Sequence, residues 1–258
     1  MTDGKVKEGQ RPLAEPVLEE IDAQVRRQSY AFATNAIQLL DELILHINHG
    51  MARLTGKKHD RGLNFLVGLM LGRAFNSLWK ARESAVTGFP AESLTLCRSA
   101  LEHWAAARWV ELNPECTDRW LWAILSEVTQ PKEWPPSPDR TLKELRDLGV
   151  DLHYLYDPLS KFAHPKSVGL SWMIHFDPQS TYFHTGGHFD ERGLRMCLFF
   201  LVGVAQACLE PVAQLQDRML GSPDAEWLEQ GKELSKQAKA VRSETEQEVA
   251  GEAEKAGR

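Results

Sequence analysis

A chain of 258 residues with 43% hydrophobic and 26% charged residues can bury one sizeable core, and this composition excludes a fully disordered tether. A formal net charge of −6 excludes a diffusely basic surface, so any grip on nucleic acid must come from a local cationic patch. The four cysteines, Cys97, Cys116, Cys197 and Cys208, form no C-x-x-C pair and read as reduced thiols of a cytoplasmic protein.

Residues 1–15 are polar and read as a disordered leader, without the apolar stretch of a signal peptide. A long helical pattern occupies 17–54, where Ile37, Leu40, Ile44 and Ile47 recur at helical spacing. His46 and His49 on this helix read as exposed. A second helix, 63–86, is closed by Gly88, with Phe65, Leu69, Gly72, Asn76 and Trp79 along one side. Gly68 and Gly72 there read as a close helix crossing. Pro90 suits the first turn of a third helix, 90–112, and Asn113-Pro114 ends it and starts a fourth, 114–128.

Four prolines make 129–138 a loop. Short helices follow at 139–148 and 150–164, the second carrying an internal Asp157-Pro158 and stopping at His164-Pro165. Two β-prone runs around Asp177-Pro178 predict a short hairpin or extended excursion near 170–184. Asp190 then caps a helix running to about 220, kinked at Pro211. Its most apolar run, 196–209, is too short to span a bilayer, so no membrane is expected. Beyond Leu234 the large apolar residues thin out, and 222–258 reads as a charged helical or disordered tail. The expected architecture is therefore all-α. It is a bundle of six to seven helices over 16–221, flanked by the leader and the tail.

Two segments carry candidate chemistry. On the third helix Leu94, Leu101 and Ala105 share a face. Arg98 and Glu102 lie at its edge, about 40° and 80° from its centre and one turn apart, so they can pair. On the later helix Ser160 and His164 are four residues apart, Tyr156 continues the line, and His164 falls in the last turn. The plain structural reading is an ion pair that fixes packing, a capping His164 and a Ser160 bonded back to its own helix. The functional reading is a polar interhelical pocket in which Arg98, Glu102, Tyr156, Ser160 and His164 receive a nucleotide or RNA phosphate.

A helix with R-x3-E followed by a helix end with S-x3-H-P resembles a bacterial family of helical proteins of unknown function. Some of its members lie near the HEPN-like bundles of helical ribonucleases and nucleotide-binding proteins. The resemblance covers 62–220 and rests on Arg98, Glu102, Ser160, His164 and Pro165. It implies that these polar residues meet in one pocket in a stress or defence setting. Arg98-x4-His103 also matches the R-x4-6-H pattern of HEPN ribonucleases, but residues five apart on a regular helix point about 140° away from each other.

His175, His184 and His188 match no zinc spacing, and no metal or other cofactor is expected. Trp104, Trp109, Trp120 and Trp122 read as core. A P-loop and a Rossmann fingerprint are both absent. The alternative function is a non-catalytic interaction or scaffold protein whose polar cluster is structural and whose charged C-terminal tail meets a protein partner.

Overall fold

The structure, a computed structural model, describes residues 15–55, 62–125, 137–162, 174–177, 180–183 and 187–256. Within them the chain forms eight α-helices: α1 Glu15–Ala52, α2 Leu63–Val86, α3 Pro90–Leu112, α4 Thr117–Leu125, α5 Pro138–Asp147, α6 His153–Phe162, α7 Glu191–Leu220 and α8 Ala225–Ala256. A 3-10 turn, Pro114–Cys116, leads into α4. The all-α class stands, with eight helices where six or seven were expected. Of the region expected to depart from the helical pattern, 170–184, residues 174–177 and 180–183 are described. Inside them Ile174–Asp177 and Ser180–Phe183 carry extended backbone paired antiparallel, Ile174 opposite Phe183.

The helix ends follow local chemistry. Gly88 takes φ 84° just after α2, a conformation that a Cβ disfavours, and Pro90 sits in the first turn of α3. The Asp190 carboxylate accepts from the Gly193 N–H at 3.0 Å and starts α7. Gly221, at φ 80°, ends it.

At the centre lies α7, packed on α1, α2, α3 and α8. Its most apolar window has a mean hydropathy of 1.8, and 67% of that window is buried inside the bundle, as in the core helix of a globular fold. It runs through Pro211 as one helix. The backbone break lies instead in α1, where Ala33 leaves helical geometry at φ −134° and ψ 40°. There the Thr34 hydroxyl donates to the Tyr30 carbonyl, a side-chain bond that competes with the helical ladder.

The buried face of α2 is Leu66, Val67, Leu71, Ala74 and Leu78, while Leu69 and Trp79 are exposed. The side read from the sequence is thus the outer one. No heavy atom comes within 4 Å of a Cβ built on Gly72. The close crossing is at Gly50, where a Cβ would lie 2.7 Å from Val212 Cγ1, 2.8 Å from Trp227 Cζ2 and 2.9 Å from Gln216 Nε2. His46, expected to be exposed, is buried at 2% exposure. Its ring stacks on Trp227 with centroids 4.4 Å apart, and its backbone carbonyl accepts the Trp227 indole N–H at 2.9 Å.

Helix α8 packs on α1 and α7. Trp227, Gly231, Leu234, Ala238, Val241 and Thr245 follow each other in steps of four and three and lie buried or half-buried along it. This is the narrow seam of coiled-coil packing, built with small residues beyond Leu234, which is why a count of large apolar residues does not reveal it.

Candidate functional site

Three of the five predicted site residues meet between α3 and α6. Leu94, Cys97, Leu101 and Ala105 are buried and fix the rotation of α3. Leu155 and Leu159 are buried and fix that of α6. Asp151 starts α6 by accepting from the His153 N–H at 3.0 Å. These anchors aim Arg98 at Tyr156. Arg98 Nε donates to Glu102 Oε1 at 2.8 Å, and Nη2 donates to the Tyr156 hydroxyl at 3.2 Å. That hydroxyl donates to Glu102 Oε1 at 3.4 Å, and the guanidinium carbon stands 5.3 Å from the Tyr156 ring centroid.

The side chains of Arg98 and Glu102 are 18% and 28% exposed, and Tyr156 is buried. Burial works against the Arg98 charge. The Glu102 carboxylate and the Tyr156 hydroxyl outweigh it and hold the guanidinium above its usual range. Arg98 Nη1 makes no hydrogen bond among the described residues.

Ser160 follows Tyr156 by one turn. Its Oγ is buried and has no hydrogen-bond partner, so the expected bond back to its own helix is not made. His164 and Pro165 lie outside the described residues. On α6 Pro158 is accommodated inside a continuous helix, which keeps Tyr156 and Ser160 on one side.

Arg98 and His103 diverge. His103 Nδ1 lies 2.7 Å from the Ser99 carbonyl of its own helix, while Arg98 reaches across to α6. Trp104 and Trp109 serve packing: their indole N–H groups donate to the Ala207 carbonyl at 2.8 Å and to Glu144 Oε2 at 2.6 Å. No group of three or more potential metal ligands is found among the described residues.

No family model, curated protein or solved structure matches this chain.

The sequence reading missed two polar clusters. Arg82 donates from Nε and Nη2 to the two oxygens of Asp41 at 2.7 and 2.6 Å, from Nη1 to Glu83 at 2.6 Å, and from Nη2 to the Tyr30 hydroxyl. Arg26 donates to the other oxygen of Glu83 at 2.9 Å. Burial opposes ionisation of Glu83, yet the two arginines hold its carboxyl below its ordinary range. The Arg82–Asp41 pair is 41 residues apart in sequence, so no local spacing announces it. Every donor nitrogen of Arg82 is engaged, which makes this cluster a brace between α1 and α2.

The second is a stacked arginine on α8. Arg242 lies with its guanidinium carbon 5.2 Å from the Tyr154 ring centroid and 4.9 Å from that of Phe199. Its signal in the sequence was only that Arg242 follows Val241, a seam position.

Proposed function

We propose that the α3–α6 seam is a binding site for a phosphate-bearing ligand, a nucleotide or an RNA phosphate, in a helical protein of the HEPN-like kind. Arg98 supplies the charge, Glu102 and Tyr156 hold its fork in one orientation, and the Ser160 hydroxyl adds a donor one turn away. The observation that carries the reading is Arg98 itself. Two partners fix it, while Nη1 makes no hydrogen bond among the described residues and the side chain stays 18% exposed. A bacterial source, a cytoplasmic location and a role in stress or defence belong to the same proposal. Titration calorimetry of a nucleoside monophosphate and of a short single-stranded RNA into wild type, Arg98→Ala and His164→Ala tests it. Binding in the wild type and at least about tenfold weaker binding in both variants is the expected result, from the loss of charge-assisted hydrogen bonds. Absence of heat with either ligand in the wild type overturns the proposal.

One observation favours a second reading. Arg98, Glu102 and Tyr156 close on one another, so the cluster can serve as a helix clamp in a non-catalytic interaction protein whose α8 meets a protein partner. Arg98→Ala then lowers the melting temperature, and nucleotides raise it in neither protein.

A further inference from the structure

Arg242 is a half-buried cation of α8 with no ion pair among the described residues. Its guanidinium stands between the Tyr154 ring of α6 and the Phe199 ring of α7, with its carbon 5.2 and 4.9 Å from the two centroids. It rests on Gly203, where an added Cβ would come within 3.3 Å of Nε and 3.4 Å of Cζ. The Nε is buried and has no hydrogen-bond acceptor. Among the described residues no carboxylate pairs with Arg242. Its two terminal nitrogens make no hydrogen bond among these residues, and the residue is only half-buried.

Each part of this seat has a consequence. Two aromatic faces fix the plane of the guanidinium, so its in-plane N–H groups point at a fixed edge. The bare backbone at Gly203 lets the charged group sink against α7, which strips water from one side. A cation in this state attracts an anion more strongly than a solvated side chain does, because its desolvation is already complete on that side. Fixed N–H groups arranged as a fork match the oxygens of a phosphate or carboxylate.

We infer that Arg242, seated between Tyr154 and Phe199 on the backbone of Gly203, is a second anion site that takes the phosphate group of a small ligand. It is independent of the α3–α6 seam. Tyr154 and Tyr156 are two positions apart on α6 and project to opposite sides of it. Tyr156 accordingly serves Arg98, and Tyr154 serves Arg242.

The test uses the full chain and inorganic phosphate as the probe, with sodium chloride at matched ionic strength as the reference. Thermal melts and phosphorus NMR titrations are recorded for wild type, Arg242→Met, Arg242→Lys and Arg98→Ala. Phosphate is expected to raise the wild-type melting temperature beyond chloride. Arg242→Met keeps its fold in chloride and loses the part of the phosphate increment that Arg98→Ala retains. Arg242→Lys keeps the charge but not the fork, and its phosphate affinity falls about tenfold, the worth of one charge-assisted hydrogen bond. Arg98→Ala retains the increment that depends on Arg242, which separates this site from the other. Equal wild-type melting in phosphate and chloride overturns the inference, as does an increment in Arg98→Ala that is unchanged when Arg242→Met is added. Should Arg242→Met fail to fold, full phosphate affinity in Arg242→Lys overturns it in the same way.

Discussion

Arg98 and Arg242 stack on neighbouring tyrosines of one helix, yet only Arg98 carries its own carboxylate. Glu102 lies one turn along the same helix, and the Tyr156 hydroxyl bonds to both charged groups. Arg242 has aromatic faces and a glycine backbone around it and no acid among the described residues. The difference separates orientation from neutralisation. Stacking alone positions a guanidinium and leaves its charge for something outside the chain, whereas an i,i+4 carboxylate positions it and spends part of that charge internally.

Four sets of substitutions test this contrast. The largest effect is expected from Gly50→Ala, because the added methyl runs into Val212, Trp227 and Gln216 where α1 crosses α7 and α8. Urea unfolding should show a loss of about 1–3 kcal/mol, the usual cost of overpacking. Since α8 carries Arg242 and does not carry Arg98, phosphate protection at Arg242 weakens while the Arg98–Glu102 pair is retained. Next, Glu102→Ala leaves a half-buried guanidinium without its acid and costs about 1–2 kcal/mol. Arg98→Met placed on top of it recovers part of that loss, read as a double-mutant cycle. Arg242 has no such partner to remove, and Arg242→Met should stay within about 0.5 kcal/mol of wild type.

Third, Tyr156→Phe deletes a hydroxyl that bonds to both charges and costs about 1 kcal/mol, while Tyr154→Phe leaves its ring under Arg242 and changes stability by less than about 0.5 kcal/mol. Equal costs for the two substitutions would erase the distinction between the seats. The smallest effect concerns pH. The guanidinium of Arg98 is held charged, and near neutrality His46 is a described group that contributes a pH dependence. Burial lowers its pKa below the ordinary 6.5, and His49 adds to this, against contacts from Trp227 and Gln230. The folded state therefore disfavours the proton. The stability this contributes is present above 6.5 and is lost as pH falls through the lower folded value. His46→Gln should flatten that acid limb without altering either arginine seat, measured as urea midpoints between pH 5 and 8.

Much of the fold was legible because helices announce themselves locally. Gly88, Pro90 and Asp190 mark helix ends through their own backbone and capping chemistry, and the structure uses each of them there. The Arg98–Glu102 pair was legible for the same reason, since an i,i+4 spacing is a geometric statement. Facing Tyr156 across to Arg98 depended on the rotation of α6, which its buried leucines also indicate.

What stayed hidden depends on packing between distant segments. His46 looked exposed until Trp227 covered it from 181 residues away. Phe65, Leu69 and Trp79 lie along one side of α2, and the structure buries the smaller residues opposite against neighbouring helices. The α8 seam is built from Gly231, Ala238 and Thr245, residues that carry little hydrophobic signal and still allow close approach. Arg242 was invisible for the same reason: its seat is assembled from three helices, and one of its walls is the missing side chain of Gly203.

If the Arg98 edge meets the phosphate of a ligand as proposed, a cycle across both molecules tests it most directly. A nucleoside and its monophosphate are each titrated into wild type and Arg98→Ala. Removing the phosphate and removing Arg98 should cost about the same, and doing both should cost little more than either, because one interaction is lost. Fully additive losses, or no binding of the monophosphate to wild type, would contradict it.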